Sequence, residues 1–194
     1  YNFTQCMWSA GNVTERGRIA NENHEGEKIL DLYAGIGYYT LPFLSEGARG
    51  PNGERGQGRG AAQVVACEWN ENAIRALKWS LSANDLADRC TILEGDNRKV
   101  DFQQEFDRVN LGLLPSSEDG YAIAIQALKP EGGILHVHGL AMGGNEDGWA
   151  LNLATRLETL GSFSCTVVQV ERVKWYAPHQ RHIVVDIHAS PVSG

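Results

Sequence analysis

Five short apolar runs, separated by stretches of helical pattern, constrain this chain more than anything else in it. The runs are Lys28–Tyr33, Gln63–Trp69, Cys90–Leu93, Arg108–Leu114 and Ile134–His138. Between them, Tyr38–Ser45 reads as a short helix. Asn70–Asn84 carries Ala73, Ile74, Leu77 and Leu81 along one helical face, and Asn70 is placed to cap it. A helix capped by Ser116 or Ser117 runs to about Leu128, where Pro130 and Gly132-Gly133 stop it. Trp149–Leu160 is helical. Strands alternating with helices make βαβ units, which pair their strands in parallel. The last two β-rich runs, Cys165–Trp175 and Arg181–His188, follow one another across a turn at Ala177-Pro178, so they add an antiparallel hairpin. The expectation is an α/β fold with a mostly parallel seven-stranded sheet and a C-terminal antiparallel hairpin. At 194 residues, against roughly 150 per domain, it reads as a single domain.

Composition excludes several classes. Hydrophobic residues make up 42% and charged residues 21%, the balance of a globular chain rather than a fibrous or disordered one. No apolar run approaches the roughly 18 residues of a membrane span, and the first twenty residues lack a signal-peptide plan. A net charge of −7 argues against a cationic coat for nucleic acid; any RNA would meet a local basic patch or a part not in this sequence. The chain opens on Tyr1, which reads as a processed product, a fragment or a trimmed piece. Cys6, Cys67, Cys90 and Cys165 form no C-x-x-C pair, so neither a zinc knuckle nor a dithiol site is expected. Reduced thiols in the cytoplasm are.

One segment breaks the alternation. Gly47–Gly60 holds six glycines with Arg49, Arg55 and Arg59 and nothing apolar larger than Ala or Pro. It reads as a solvated loop inserted into a βαβ unit, with RNA-backbone contact by its arginines as the lesser alternative.

The sharpest motif is Asp31-Leu32-Tyr33-Ala34-Gly35-Ile36-Gly37, closing a strand and opening a helix. Glycines there allow a tight turn and close approach of a ligand to backbone, and ligands of open α/β sheets sit beyond the carboxyl ends of strands. A dinucleotide would want a third glycine at position 40, where this chain has Thr40. Asp31 would also repel a pyrophosphate. S-adenosylmethionine carries an ammonium and a sulfonium, and a neighbouring carboxylate suits it. Glu68, ending the second strand, is the candidate ribose acid. It lies 33 positions beyond Gly35, and discounting the insertion brings the spacing to the expected value of about 20. Asp96-Asn97, after the third strand, offer short polar side chains to an adenine edge. Each motif alone also reads as an ordinary turn or strand end.

These elements in this order resemble class I S-adenosylmethionine-dependent transferases, which are Rossmann-like. Ser9-Ala10-Gly11-Asn12-Val13-Thr14-Glu15-Arg16, Asp31–Gly37, Cys67–Asn70, Gly95–Arg98, Asn110–Ser117 and Tyr176–His179 together resemble the tRNA wybutosine-synthesizing protein 2 family. The likeness runs from about Phe3 to Asp186. Related tRNA guanine-N1 methyltransferases share the glycine loop and the Thr-Glu-Arg run. Their compact Asn-Leu-Pro is here opened out, with Leu111–Leu114 between Asn110 and Pro115, which favours the aminocarboxypropyl branch.

The resemblance implies a catalytic domain that transfers the 3-amino-3-carboxypropyl group of S-adenosylmethionine to the tricyclic wybutosine precursor beside the anticodon of phenylalanine tRNA, releasing methylthioadenosine. It implies no metal, no membrane and no obligate protein partner. By family position the donor contacts include Ser9, Arg16, Glu68, Asp96 and Asn97, beside Asp31, Ala34, Gly35 and Gly37 of the loop. Ser9 and Arg16 would set the methionine arm, with the surface residues of an N-terminal lead-in (residues 1–27) as the alternative. Arg16, Asn110 and Pro115 are the candidates nearest the chemistry, the last two shaping a base pocket. The family's N-terminal tRNA-binding region is expected to be missing from this sequence, and the insertion departs from the family pattern. Methyl transfer to guanine-N1 and a binding-only relic remain as alternatives.

The remaining aromatic and basic residues read as follows. His136 and His138 share a strand face, expected to be packed or polar rather than metal-binding. His179 and His182 flank the last turn, with structural or RNA-facing roles. Trp69, Trp79, Trp149 and Trp175 are expected in the core. Trp8 and Tyr38 are weighed as stacking partners for a flipped base against plain packing. Arg172, Lys174 and Arg181 are the candidate phosphate-contacting patch, with a solvated hairpin as the alternative.

Overall fold

The computed structural model describes residues 13–47 and 56–192. Ser9, Trp8, Cys6 and most of the Gly/Arg insertion lie outside the described residues. The chain divides into two compact units, Tyr1–Val100 and Asp101–Gly194.

The first unit is built on β1 (Lys28–Asp31), β2 (Gln63–Glu68) and β3 (Cys90–Glu94). All are parallel, with β2 in the middle. Their carboxyl ends, at Asp31, Glu68 and Glu94, therefore lie along one edge. Helix α1 (Val13–Asn21) packs on α2 (Thr40–Leu44), and α3 (Glu71–Ala83) packs on β2 and β3. The core joins Ile19 of α1, Phe43 and Leu44 of α2, Leu77 and Leu81 of α3, and Ile29, Val64 and Ala66 of the strands. Asn70 caps α3 as expected, its side chain accepting from the Asn72 and Ala73 amides. The lead-in expected at residues 1–27 contains a formed helix, α1. Its signal is weak in sequence because Ile19 and Ala20 are its only buried apolar residues; tertiary packing sustains it.

The second unit places β4 (Arg108–Leu111), β5 (Gly133–Met142), β7 (Gln180–Pro191) and β6 (Phe163–Ala177) side by side in that order. β4 and β5 are parallel; β7 runs antiparallel to both β5 and β6. The terminal hairpin is thus present and longer than its sequence signal. Helices α4 (Tyr121–Ala127) and α5 (Glu146–Glu158) complete the unit, and α5 packs on β5, β6 and β7. The seven strands and their helices bear out the expected α/β class.

Several boundaries move. The fourth strand ends at Leu111, before the Gly112–Pro115 stretch, where the Leu114–Pro115 peptide is cis. Neither serine starts the following helix directly. Ser116 Oγ accepts from the Glu118 amide, a single 3₁₀ turn follows over Glu118–Gly120, and α4 begins at Tyr121. α5 starts three residues earlier than its apolar pattern, because its first turn is acidic, which suits a helix N-terminus.

The tryptophans correct a sequence expectation. Trp69, Trp79 and Trp175 are 80%, 70% and 58% exposed, not core. Trp149 is half-buried, its indole lying where a side chain on Gly139 would stand. Among the described residues no helix is long and apolar enough to cross a membrane.

Candidate functional site

The parallel strands of the first unit bring three turns to one edge. After β1, the chain turns through Ala34–Gly37. Ala34 N–H donates to Cys67 O at 3.0 Å, tying the turn to β2, and Gly37 N–H donates to Ala34 O at 2.9 Å, closing it. Gly35 and Gly37 have φ of +56° and +94°, a region that L side chains rarely occupy. The two glycines have different duties. Among the described residues nothing lies within 4 Å of a Cβ built on Gly35, so its face is open to them. A Cβ on Gly37 would stand 2.3 Å from Leu41 Cδ1 and 2.8 Å from Leu77 Cδ1. Gly37 lets α2 and α3 close on the turn, whereas Gly35 leaves room above it.

Glu68 ends β2 and links the turns. Its Oε2 accepts from Gly35 N–H at 2.8 Å. Its Oε1 accepts from the Trp69 and Asn70 amides at 2.9 and 2.8 Å. Three backbone donors thus orient the carboxylate before any ligand arrives. A carboxylate offers about four acceptor sites, and the capacity left over sits on Oε2, beside the open face of Gly35. That is the arrangement a ribose hydroxyl needs.

The third turn follows β3. Gly95, with φ of +120°, donates its N–H to Glu68 O at 2.9 Å. Asp96 then caps a 3₁₀ turn, accepting from Arg98 N–H. Arg98 also folds its guanidinium back on Asp96, Nε to Oδ1 and Nη2 to Oδ2, both at 2.9 Å. That fork holds the Asp96 carboxyl well below its usual range, at about 2, so Asp96 is an ionised acceptor at any physiological pH. Asn97 Nδ2 donates to Leu32 O at 2.7 Å, which ties this turn to the first and leaves its Oδ1 and second N–H for other partners.

Asp31 is at the edge but beneath the surface. It is fully buried, and its Oδ2 accepts from Thr40 Oγ1 at 2.7 Å. Asp31 and Glu68 together make the edge electronegative. Burial, then the charges of Asp31 and Glu68, push the Cys67 thiol up to about 12; burial and Asp31 do the same to Cys90. Both thiols stay protonated and are poor nucleophiles. An edge of this sign favours a cation and disfavours a pyrophosphate.

Arg16, exposed on α1, holds its guanidinium 5.6 Å from the Tyr38 ring centroid, and Tyr38 directly follows the glycine turn. Arg16 thus stands beside the residue that follows Gly37, while Ala34, Gly35, Glu68 and Asn97 are tied to one another by the bonds between the three turns. Ser9 lies outside the described residues.

Asn110 and Pro115 belong to the second unit. Asn110 is buried on β4 and Pro115 is exposed. In register with Asn110 on β5 is His136, itself buried between Asp186 (Nδ1 to Oδ1, 2.5 Å) and Arg108 (Nε2 to Nη1, 2.6 Å). His138 Nδ1 meets His182 Nε2 at 3.0 Å. The shared face of His136 and His138 is polar and packed, as expected. Among the described residues no group of three or more His, Cys, Asp or Glu could hold a metal ion. His182 is structural rather than RNA-facing, since it is buried. The candidate phosphate patch is partly neutralised. Arg172 bonds Asp147 at 3.2 Å, Arg181 lies 3.5 Å from Glu146, and Arg181 stacks on Trp175 with 4.1 Å to the ring centroid. Those acids come from the first turn of α5, distant in sequence.

Sequence reasoning missed the roles of two residues. Thr40 entered only as the glycine that a dinucleotide loop would have; it is the donor to Asp31. Arg98, part of the Gly95–Arg98 motif but with no role assigned by it, sits two residues past Asp96, a spacing at which a guanidinium can fold back.

Comparison with known proteins gives the family and the fold. A family model described as the TRM5/TYW2 methyltransferase domain matches residues 2–150. A tRNA wybutosine-synthesizing protein 2/3/4 of Arabidopsis thaliana is 45% identical over 192 residues, 96% of this chain and 18% of that one. A tRNA wybutosine-synthesizing protein 2 homolog of Danio rerio is 36% identical, over 99% of this chain and 53% of that one. The chain thus spans about half or less of these curated relatives. The crystal structure of M. jannaschii TYW2 in complex with AdoMet superposes with a TM-score of 0.82 at 27% identity, covering 97% of this chain and 80% of that one.

Proposed function

We infer an activity from one premise: this chain belongs to the TRM5/TYW2 methyltransferase-domain family. We propose that it is an S-adenosylmethionine-dependent tRNA transferase. It moves the 3-amino-3-carboxypropyl group to the tricyclic wybutosine precursor next to the anticodon of phenylalanine tRNA. The relatives' names carry the substrate, and one observation carries the donor: the Glu68 carboxylate, pre-oriented by three amides beside the open face of Gly35.

In this reading Glu68 takes the ribose and Gly35 gives the ligand its approach. Ala34 and Gly37 shape the turn, while Asp96 and Asn97 read the adenine. Asp31 supplies negative charge under the turn for the cationic end of the donor. Arg16 and Ser9 address the methionine arm, Arg16 as a partner for its carboxylate. Asn110 and Pro115 are assigned to the target base from sequence position. The donor supplies the chemistry: its sulfonium activates three carbons. The base forms a bond to the γ-carbon of the methionine arm as that carbon–sulfur bond breaks; the electron pair goes to sulfur, leaving neutral methylthioadenosine, and the alkylated base releases a proton to solvent. The protein's part is to align that carbon, rather than the methyl, with the base. The free, protonated Cys67, Cys90 and Cys165 fit a reducing, cytoplasmic setting. The residues from 1 to 194 act as one catalytic domain.

The test supplies carboxyl-labelled and methyl-labelled S-adenosylmethionine in parallel, with hypomodified phenylalanine tRNA as acceptor. Label on tRNA from the carboxyl donor is expected. Label from the methyl donor alone would make the chain a methyltransferase. Label from neither, with donor binding intact, would make it a binding protein.

A further inference from the structure

Thr40 stands where a dinucleotide-binding loop would place its third glycine. It is the first residue of α2, and both it and Asp31 are fully buried. Its hydroxyl has a threonine's freedom to rotate, yet it lies 2.7 Å from Asp31 Oδ2, the length of a strong O–H···O⁻ bond. A buried carboxylate is costly to keep charged unless donors face it. With fewer donors it turns away or takes up a proton. The hydrogen bond spans the glycine turn from its far end, Thr40, to its near end, Asp31. It therefore fixes both the shape of the turn and the position of a negative charge beneath it. The Asp31 charge is felt at Cys67, the residue before Glu68 at the carboxyl end of β2, so it reaches the neighbouring strand end.

We propose that Thr40 is a positioning residue for the donor's cationic end, holding the Asp31 carboxylate in place beneath the Ala34–Gly37 turn. This rests on the reading that the edge binds S-adenosylmethionine. In that reading ribose and adenine have their own partners at Glu68, Asp96 and Asn97, none of which hydrogen-bonds to Thr40, whose hydroxyl goes to Asp31. The contribution of Thr40 should therefore fall on the part of the donor that methylthioadenosine lacks: the sulfonium charge and the aminocarboxypropyl arm.

The two ligands separate this role from a purely structural one. Calorimetric titrations would compare S-adenosylmethionine with methylthioadenosine on the wild type, Thr40→Val and Thr40→Ser. Thr40→Val keeps the shape and removes the donor. It should weaken S-adenosylmethionine about tenfold, the loss of one hydrogen bond to a charged group, and leave methylthioadenosine within about twofold. Thr40→Ser, which restores the hydroxyl, should recover the wild-type affinity. Equal losses for the two ligands would make Thr40 a packing residue and overturn the proposal, as would no loss for either. Asp31→Asn is a second route to the same answer should Thr40→Val fold poorly. It must show the same selective loss, and a parallel loss on both ligands also overturns the proposal. A wild type that binds neither ligand would instead remove the underlying functional reading.

Discussion

The two units handle buried and half-buried polar groups in opposite ways. In the first, carboxylates stand at the ends of parallel strands, and the one on the middle strand is held by backbone amides: Glu68 by Gly35, Trp69 and Asn70. Amides orient an acid without neutralising it, so charge and acceptor capacity remain at the edge. In the second, polar side chains lie within the strands and face one another: Arg108 with His136, His136 with Asp186, His138 with His182. Such contacts join side chain to side chain inside the sheet and specify packing. The first arrangement leaves something over for a ligand; the second is built for the fold. A polar residue on a strand is thus read by its position along the strand, end or middle, before its type.

Three measurements press on that contrast. The largest effect belongs to Glu68→Ala. It removes the acceptor proposed for the ribose and the anchor of the glycine turn, and S-adenosylmethionine affinity by calorimetry should fall about a thousandfold, roughly 4 kcal/mol. An affinity near wild type would place Glu68 among the purely structural acids and erase the difference between the units.

The second concerns the histidine pair. Burial, then the neighbouring Lys174 charge, push His182 down from 6.5 to about 4. The unfolded chain binds that proton below about pH 6.5 and the folded chain binds it only near 4. Stability is therefore complete above pH 6.5 and declines as pH falls through that window, by up to about 3 kcal/mol. Denaturant melts of wild type and His182→Gln across pH 7 to 4 should show a flatter slope for the variant. Parallel slopes would mean that His182 does not resist protonation and that the second unit's network is less closed than its geometry.

The smallest effect tests the division of labour between the two glycines. Gly37→Ala drives a methyl into Leu41 and Leu77 at a positive φ and should cost about 2 kcal/mol of stability by thermal or chemical denaturation. Gly35→Ala meets no neighbour among the described residues. It should cost only about 1 kcal/mol of stability from its φ while crowding the ligand face, so its loss is expected in donor affinity rather than in melting. Equal behaviour of the two variants would remove the distinction.

Much of the site was legible from local sequence. Asp31–Gly37 announces a strand, a tight turn and a helix in seven residues. Asn70 caps α3 with its own side chain two and three residues on. The terminal hairpin followed from two β-rich runs with one turn between them. Less legible were features whose signal is not local. Helix α1 has too few buried apolar positions to stand out. Exposure of Trp69, Trp79 and Trp175 depends on what fails to cover them. Arg172 and Arg181 look like a free basic patch until α5 brings Glu146 and Asp147 alongside.

By itself, then, the sequence determined where strands end, where glycines permit a turn and which acids stand beside it, because those are properties of neighbouring residues and their backbone preferences. Only the tertiary structure decided that Gly35, thirty-three positions away, donates to Glu68, that Asn97 reaches back to Leu32 and that Thr40 closes on Asp31. A hydrogen bond depends on distance and direction in space, and those are set by how strands pair and helices pack.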